Sequence, residues 1–259
     1  MKSLEGIESS RKASTGAPLI ARLDGRAFHT FTKGLDRPFD KGMTELMQET
    51  TKFLVTETKA MIGYTQSDEI TLIWYEPDQE KSYMFGGRFQ KIASTLSALA
   101  SAYFNRNLEH YLPSKKDEIP TFDARVWSVP TLEDAYKTLL WRELDAIKNS
   151  ITMLALKHFK HKEIHGVDSK KKLQMLREIG DPWENYPSCN RKGTYIKRIS
   201  EFQAFTAEEI EKIPEKHRPA LGEVYLRSKV KIVELPDMQT LEHSATKYAI
   251  IFADLFTNR

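Results

Sequence analysis

Two short acidic motifs each follow an apolar, β-prone run, and their positions constrain the fold more than any other feature of the chain. The first is Leu23-Asp24-Gly25-Arg26-Ala27-Phe28-His29, which follows the apolar run that begins at Pro18. The second is Tyr64-Thr65-Gln66-Ser67-Asp68-Glu69, which leads into a further apolar run. Both motifs therefore predict carboxylates at strand ends or turns, outside the hydrophobic core.

The spacing of apolar residues predicts the order β-α-β-β-α-β over the first part of the chain. Strands are predicted at 18–23, 61–65, 70–75 and 121–129, with one helix from Asp40 and a second through 92–103. This is the split βαβ, or ferredoxin-like, arrangement, an antiparallel sheet with both helices on one face. It would make Asp24 and Asp68 neighbours. Polymerase palms and nucleotide cyclases carry their metal aspartates at these two places, which is an analogy of fold alone.

Beyond Pro130 the pattern becomes mainly helical. Thr131 can cap a helix that runs toward Phe159, and Ser169 can cap another that stops at Gly180. Short strands are predicted at 191–199 and 229–235. We therefore predict an α+β protein with a polymerase-palm-like catalytic core over residues 1–130 and a helical C-terminal extension with short strands over residues 131–259.

Cysteine content and apolar runs exclude disulfide-bonded and membrane-spanning classes of protein. The single cysteine, Cys189, excludes an intramolecular disulfide and any paired-cysteine metal motif. Residues 1–5 lack the apolar stretch of a signal peptide, and no run is long enough to span a membrane, so we expect a cytoplasmic protein with no membrane partner.

Basic residues are concentrated in one part of the chain. The formal net charge is only +3, but residues 151–200 carry eleven Lys or Arg against five Asp or Glu. Such a segment would suit binding to a phosphate backbone, and a solvated lysine-rich helix face is an equal alternative.

The acidic motifs offer hard oxygen ligands. Asp24 and Asp68 could bind magnesium or manganese, with the exposed carbonyl of Gly25 as a further ligand. Arg26 and His29 would flank phosphate groups. Taken singly, Asp24-Gly25 is more simply a strand-terminating turn, and the second motif a polar hairpin turn. Two basic residues after Gly86-Gly87 could also reach a triphosphate, Arg88 and Lys91.

Several further motifs follow one another along the chain. Beside the two acidic motifs they are Arg37-Pro38-Phe39-Asp40, Phe122-Asp123-Ala124-Arg125, Trp141-Arg142-Glu143-Leu144-Asp145 followed by Asn149-Ser150, His161-Lys162-Glu163-Ile164-His165-Gly166, and Arg191-Lys192-Gly193-Thr194. Together these motifs resemble the histidine-tRNA guanylyltransferase family over most of the chain. These enzymes add nucleotides to the 5′ end of tRNA in the 3′-to-5′ direction. The resemblance implies activation of the RNA 5′ end by ATP or GTP, followed by attack of an incoming nucleoside triphosphate, in a protein that is typically a homotetramer.

The resemblance also implies roles for individual residues. Two Mg²⁺ ions would be held by Asp24, Gly25 and Asp68, and the implied catalytic residues are Asp24, Asp68 and Glu69, with Glu69 supporting the site. Phosphate and nucleotide contacts are implied for Asp24, Gly25, Arg26, Ala27, Phe28, His29, Ser67 and Asp68, and, around the nucleotide or the RNA 5′ end, for Arg37, Arg125, Asn149 and Lys192. The C-terminal extension would bind tRNA and contribute to oligomerisation.

Two departures from the eukaryotic family pattern bear on the branch. Residues 146–152 read Ala-Ile-Lys-Asn-Ser-Ile-Thr, in the style of the bacterial and archaeal branch that repairs truncated tRNA 5′ ends by templated addition, and Arg37 replaces the family's lysine. We therefore expect a tRNA 5′-end repair polymerase. The alternatives are a guanylyltransferase dedicated to histidine tRNA, a non-catalytic tRNA-binding protein, and a nucleotide cyclase, which the absence of a Gly-Gly-Asp/Glu-Glu-Phe motif disfavours.

Overall fold

The protein forms one six-stranded antiparallel sheet flanked by helices on both faces. The computed structural model describes residues 6–7, 9–78 and 80–252, so residues 1–5, from which we expect no signal peptide, lie outside the described part. The strands in chain order are β1 (Leu19–Gly25), β2 (Ile62–Gln66), β3 (Glu69–Trp74), β4 (Phe122–Ser128), β5 (Thr194–Ala204) and β6 (Val224–Val233). Their order across the sheet is β4-β1-β3-β2-β5-β6.

The helices connect these strands and extend the second half of the chain. They are α1 (Phe28–Phe31), α2 (Lys41–Thr58), α3 (Phe89–Tyr111), α4 (Leu132–His158), α5 (His161–Ile164), α6 (Ser169–Glu178), α7 (Ser188–Lys192), α8 (Ala207–Glu211), α9 (Met238–Leu241) and α10 (Lys247–Phe252). None of the helices in the described part has the length and apolarity needed to cross a membrane.

Alternation along the strands creates two separate cores. On one face, Leu23 and Leu72 belong to a buried cluster with Leu46 of α2 and Leu96 of α3. On the other face, Ile20 and Ile73 belong to a cluster with residues of α4 and of the C-terminal helices α9 and α10. Two helices therefore cover one face of the sheet, and α4 with the C-terminal segment covers part of the other.

The mixed α/β fold with an antiparallel sheet is confirmed, as are two helix starts. Asp40 accepts a hydrogen bond from the Met43 amide (2.9 Å), and Thr131 accepts one from the Asp134 amide (3.1 Å), so both side chains satisfy donors that the first helical turn leaves unpaired.

Several predicted boundaries were wrong for local reasons. Ser169, predicted as a helix cap, is instead the first residue of α6, because Asp168 is the cap and its carboxylate accepts from the Lys171 amide at 2.8 Å. Arg191 and Lys192 lie in α7, not in a strand, and Gly193 ends that helix with a φ of 83° before β5 begins. The two strands predicted as short, β5 and β6, have 11 and 10 residues and join the same sheet through β2.

Candidate active site

Three acidic residues of the two predicted motifs meet at one end of the sheet. Asp24 lies opposite Glu69 in the antiparallel pairing of β1 with β3. The Gly25 amide donates a hydrogen bond to the Asp68 carbonyl oxygen at 3.0 Å, which fixes the end of β1 against the β2–β3 turn. The predicted proximity of Asp24 and Asp68 thus follows from strand pairing.

The β2–β3 turn holds Asp68 in place. Only Ser67 and Asp68 separate the paired residues Gln66 and Glu69, and Ser67 has a φ of 53°. Such left-handed geometry suits the right-handed twist of two-residue hairpins but costs energy for a non-glycine residue. Strain of this kind concentrates at functional sites, so the conformation of Ser67 accords with a constrained binding turn.

Electrostatics at Asp68 favour a bound cation. Burial raises the pKa of the Asp68 carboxyl, and the neighbouring Asp24 carboxylate raises it further. A backbone hydrogen bond, the Ser67 hydroxyl and nearby His29 act in the opposite direction on that pKa. A cation between the two carboxylates would relieve both the burial cost and their mutual repulsion.

The donor set fits magnesium better than a softer metal. It consists of the carboxylates of Asp24 and Asp68 together with the carbonyl of Gly25, all hard oxygens. Across the described ranges, no cluster of three or more His, Cys, Asp or Glu residues is arranged as a metal site. A site with two carboxylates suits Mg²⁺, which commonly binds one or two protein carboxylates and takes its other ligands from water and substrate phosphates.

Glu69 is held by arginines. Arg142 on α4 donates from Nε to Glu69 Oε1 at 2.6 Å and from a terminal nitrogen to Oε2 at 2.8 Å. Arg22 Nε lies 3.9 Å from Glu69 Oε2. Burial raises the pKa of the Glu69 carboxyl, whereas the charges of Arg142 and Arg22 lower it. Both Glu69 oxygens are thus engaged, which suits the supporting role that the resemblance implies rather than direct catalysis.

Arg142 is a site residue that our reading of the two acidic motifs missed. It also donates to Asp145 at 3.0 Å, and Asn149, predicted near the nucleotide, donates to the same Asp145 oxygen at 3.1 Å. Positions 142, 145 and 149 recur at helical spacing on one side of α4. Arg142 stands in the Trp141–Asp145 motif, so the signal was present in the sequence without an indication of its partner.

The first motif turns sharply after β1. A Cβ at Gly25 would lie 2.4 Å from the Phe28 ring, so only glycine allows this turn. Ala27 follows with a φ of 56°. Arg26, Ala27 and His29 are exposed, whereas the Phe28 side chain is buried against other phenylalanines, so any contact of Phe28 with a nucleotide would come from its backbone.

A cavity of about 250 Å³ opens beside the β2–β3 turn. Ser67 and Arg37 both line it. Three helices supply further wall residues: Met43 from α2, Met153 from α4 and Asn190 from α7. The predicted residues Arg37 and Ser67 are thus brought to one cavity, adjacent to Asp68.

Arg88 and Lys91, which we predict could reach a triphosphate, lie away from the two acidic motifs. Both lie at the start of α3, where the Phe89 amide donates to the Arg11 carbonyl at 3.0 Å and Arg88 pairs with Lys12, in the segment that precedes β1. Phe104, in contrast, packs against Phe28 at the other end of the same helix. At 1.5 Å per residue, about 24 Å of helix separates Arg88 from that level, so neither cation reaches the Asp24–Asp68 end within one chain.

Two other predicted residues occupy different surroundings. Arg125 on β4 lies opposite Arg22 on β1, and its exposed guanidinium is 3.8 Å from Asp123. Lys192 forms an ion pair with Asp237, and its carbonyl accepts a hydrogen bond from the Tyr64 hydroxyl at 2.7 Å. Arg125 is therefore open to a ligand, while the Lys192 ammonium is already engaged.

Comparisons with known proteins identify similar sequences and structures. The family model described as Thg1, tRNAHis guanylyltransferase, matches residues 1–130. The chain is 26% identical over 197 residues to tRNA(His) guanylyltransferase of Debaryomyces hansenii, covering 70% of this chain and 73% of that protein. It is 25% identical over 232 residues to tRNA(His) guanylyltransferase of Neurospora crassa, covering 82% and 78%.

A solved structure spans nearly the whole fold. It is a bacterial tRNA(His) guanylyltransferase (Thg1)-like protein in complex with ATP, with a TM-score of 0.77, 26% identity and 97% coverage of both chains. A structure of such a protein in complex with GTP has a TM-score of 0.71 at 26% identity, covering 95% of this chain and 96% of the other.

Proposed function

Since the chain belongs to the tRNAHis guanylyltransferase family of nucleotidyltransferases, we propose that it extends the 5′ end of tRNA in the 3′-to-5′ direction, using ATP, GTP and other nucleoside triphosphates. The observation that carries this proposal is the convergence of Asp24 and Asp68 beside the β2–β3 turn. The solved relatives in complex with ATP and GTP support nucleotide substrates for the same fold.

The proposed catalytic unit is a polymerase-palm-like core over residues 1–130. The strand order β4-β1-β3-β2, with α2 and α3 on one face, supports this assignment, because it leaves the Asp24 side of the sheet for substrate. Residues 131–259 would bind tRNA and contribute to a homotetramer.

Two Mg²⁺ ions would be held by the Asp24 and Asp68 carboxylates and the Gly25 carbonyl. When bound, such ions lower the pKa of an attacking hydroxyl and neutralise charge on the leaving group. The fit of the donor set and the mutual repulsion of the two carboxylates support this assignment.

The chain's own residues would orient the nucleotide around these ligands. The exposed side chains of Arg26 and His29 would meet phosphates, and the cavity lined by Ser67 and Arg37 would receive the attached base. Arg142 would be a positioning residue. Its two hydrogen bonds to Glu69 hold β3 against α4, and with β3 they hold the turn that carries Asp68.

Templated repair is the favoured activity within the family. The sequence of residues 146–152 supports the bacterial and archaeal branch. The two bacterial structures described above, which cover nearly the whole chain, also support it. Watson–Crick pairing would then select the incoming nucleotide, so the protein need only recognise the end geometry and the backbone.

A single assay tests the proposal. Labelled tRNAs of several identities, each lacking its first nucleotide, are incubated with ATP and one nucleoside triphosphate at a time. Templated repair predicts that whichever triphosphate pairs with the opposite base is added to every tRNA. Addition of G to histidine tRNA alone would instead favour the dedicated guanylyltransferase, and no addition at all would favour a non-catalytic tRNA-binding protein.

A further inference from the structure

A large aromatic side chain, Trp141, stands exposed on α4 beside the candidate active site. Its relative exposure is 56%, although the neighbouring residues Arg142 and Glu143 on the same turn are buried. Burial of tryptophan is a major source of stability, and this chain leaves more than half of the residue in solvent. The fold therefore gains little from Trp141, which suggests a partner outside the chain.

Two guanidinium groups hold the ring in place. The Arg142 guanidinium carbon lies 4.6 Å from the ring centroid, and that of Arg22 lies 5.8 Å away, within cation–π range. Arg142 is itself fixed by Glu69 and Asp145. The indole is thus orientated by groups that are already part of the site, and an orientated ring loses little conformational entropy when it binds.

The sheet surface beside Trp141 carries two arginines next to the acidic residues of the candidate site. Arg22 and Arg125 are directly opposite on β1 and β4, and residues paired in this way project from the same face of a sheet. Asp24 projects from that face two positions further along β1, about 7 Å from Arg22 at the usual rise per residue. An exposed ring, guanidinium groups and the proposed metal ligands therefore lie within the span of one nucleotide.

We propose that Trp141 is a stacking platform for a nucleobase, with Arg125 beside it to meet a phosphate. The proposal rests on the proposed function, since it assigns a base position to the same site. It is separate from the cavity lined by Ser67 and Arg37, which does not include Trp141. Aromatic platforms next to cations are the common means of holding unpaired bases without sequence preference. The base belongs either to a nucleoside triphosphate or to the 5′-terminal region of tRNA.

Equilibrium binding measures the stacking contribution directly, without requiring nucleotide addition. One arm titrates the protein with labelled ATP and GTP in the presence of Mg²⁺, and a second arm titrates it with tRNA lacking its first nucleotide. The variants are Trp141→Ala, Trp141→Leu and Trp141→Phe. The matched control is Leu144→Ala, an exposed apolar residue on the same helix.

We expect Trp141→Ala and Trp141→Leu to weaken binding roughly ten- to hundredfold in one arm, because a stacked base loses its aromatic face. Trp141→Phe should recover most of the affinity, and Leu144→Ala should match the unaltered protein. The affected arm identifies the source of the base. All variants should keep their melting curves, since Trp141 contributes little burial.

Unchanged affinity of Trp141→Ala in both arms would overturn the proposal, as would failure of the unaltered protein to bind either ligand. Equal losses in the Leu and Phe variants would also overturn it, because the effect would then not depend on stacking. If the unaltered protein binds both ligands but adds no nucleotide, the proposed function fails while the binding series still decides the role of Trp141.

Discussion

The guanidinium of Arg142 on α4 holds both carboxylate oxygens of Glu69 on β3, at 2.6 and 2.8 Å. Arg142 is 8% exposed and Glu69 is half-buried, so this bidentate pair is largely shielded from solvent. Glu69 lies opposite Asp24 and directly follows Asp68. The pair therefore links the helix of the second half of the chain to the acidic turn of the first.

Replacing Arg142 with Gln should destabilise the protein by about 1–3 kcal/mol, because the half-buried Glu69 carboxylate would lose its bidentate partner and keep only Arg22 at 3.9 Å. Urea denaturation measures the free energy of unfolding. The double variant Arg142→Gln/Glu69→Gln should recover part of the loss, since no buried charge is left unpaired. Equal stability of the single variant and the unaltered protein would show that the pair contributes nothing.

Asp24→Asn and Asp68→Asn should each reduce nucleotide addition by more than the roughly 10- to 100-fold typical of outer-shell partners of a metal, because each removes a proposed direct ligand. Addition to truncated tRNA in Mg²⁺ is the measurement, together with a melting curve. Asp78→Asn, at an exposed position in the loop after β3, is the control. Near-normal addition by a folded Asp24 or Asp68 variant would contradict the two-metal assignment.

Glu133 should make stability depend on pH in the acid range. A hydrogen bond from Lys247, followed by one from Tyr248, lowers the pKa of the Glu133 carboxyl from 4.5 to about 2. Because the folded-state pKa is lowered, the stabilisation is present above about pH 4.5 and is lost as the pH falls through about 2.

The test compares unfolding free energies of the unaltered protein and Glu133→Gln across this range. Their difference should be constant above about pH 4.5 and should shrink toward pH 2. Lys247→Met should diminish the same pH-dependent difference, because it removes the first cause of the shift. A difference that does not change with pH would rule out the proposed ionic contact.

Lys170 and Lys171 on α6 are exposed and suit contact with the tRNA backbone, whereas Lys172 is half-buried and donates to Thr152 at 3.1 Å. Lys170→Glu/Lys171→Glu should weaken tRNA binding and lower the slope of log affinity against log salt by roughly 0.7–0.9 for each phosphate that is no longer neutralised. Filter binding at several salt concentrations gives both values. Lys81→Glu is the control. An unchanged slope would show that this face of α6 is solvated and does not contact the tRNA backbone.

Local signals predicted local features well. Asp40 and Thr131 cap the helices expected of them, because a cap needs only its own side chain and an amide three residues later. The cap of α6 was predicted at Ser169 but is Asp168, whose carboxylate accepts from the amide three residues later. The error lay in choosing between two adjacent residues that can both cap a helix. The family motifs likewise indicated the region around Asp24 and Asp68.

Contacts across the fold were harder to foresee. Arg88 and Lys91 follow a glycine pair and could reach a triphosphate on the sequence evidence, yet they lie at the start of α3, about 24 Å of helix from the level at which Phe104 packs against Phe28. Arg142 was visible only as part of a motif, since its partner Glu69 lies far away in the chain. The order of elements placed the strand-end residues Asp24 and Asp68 together, but local charge and spacing did not show which end of the sheet the start of α3 would occupy.

The alternation of strands and helices, the caps at Asp40 and Thr131, the two acidic motifs and the family could all be predicted from the sequence, because each depends on residues close together in the chain or on a specific motif. The tertiary structure decided that β5 and β6 join the sheet, that Arg142 holds Glu69, and that Trp141 stands exposed beside the Asp24 face. These features arise from strand register and helix packing, in which the free energy of burying one face sets the position of residues distant in sequence.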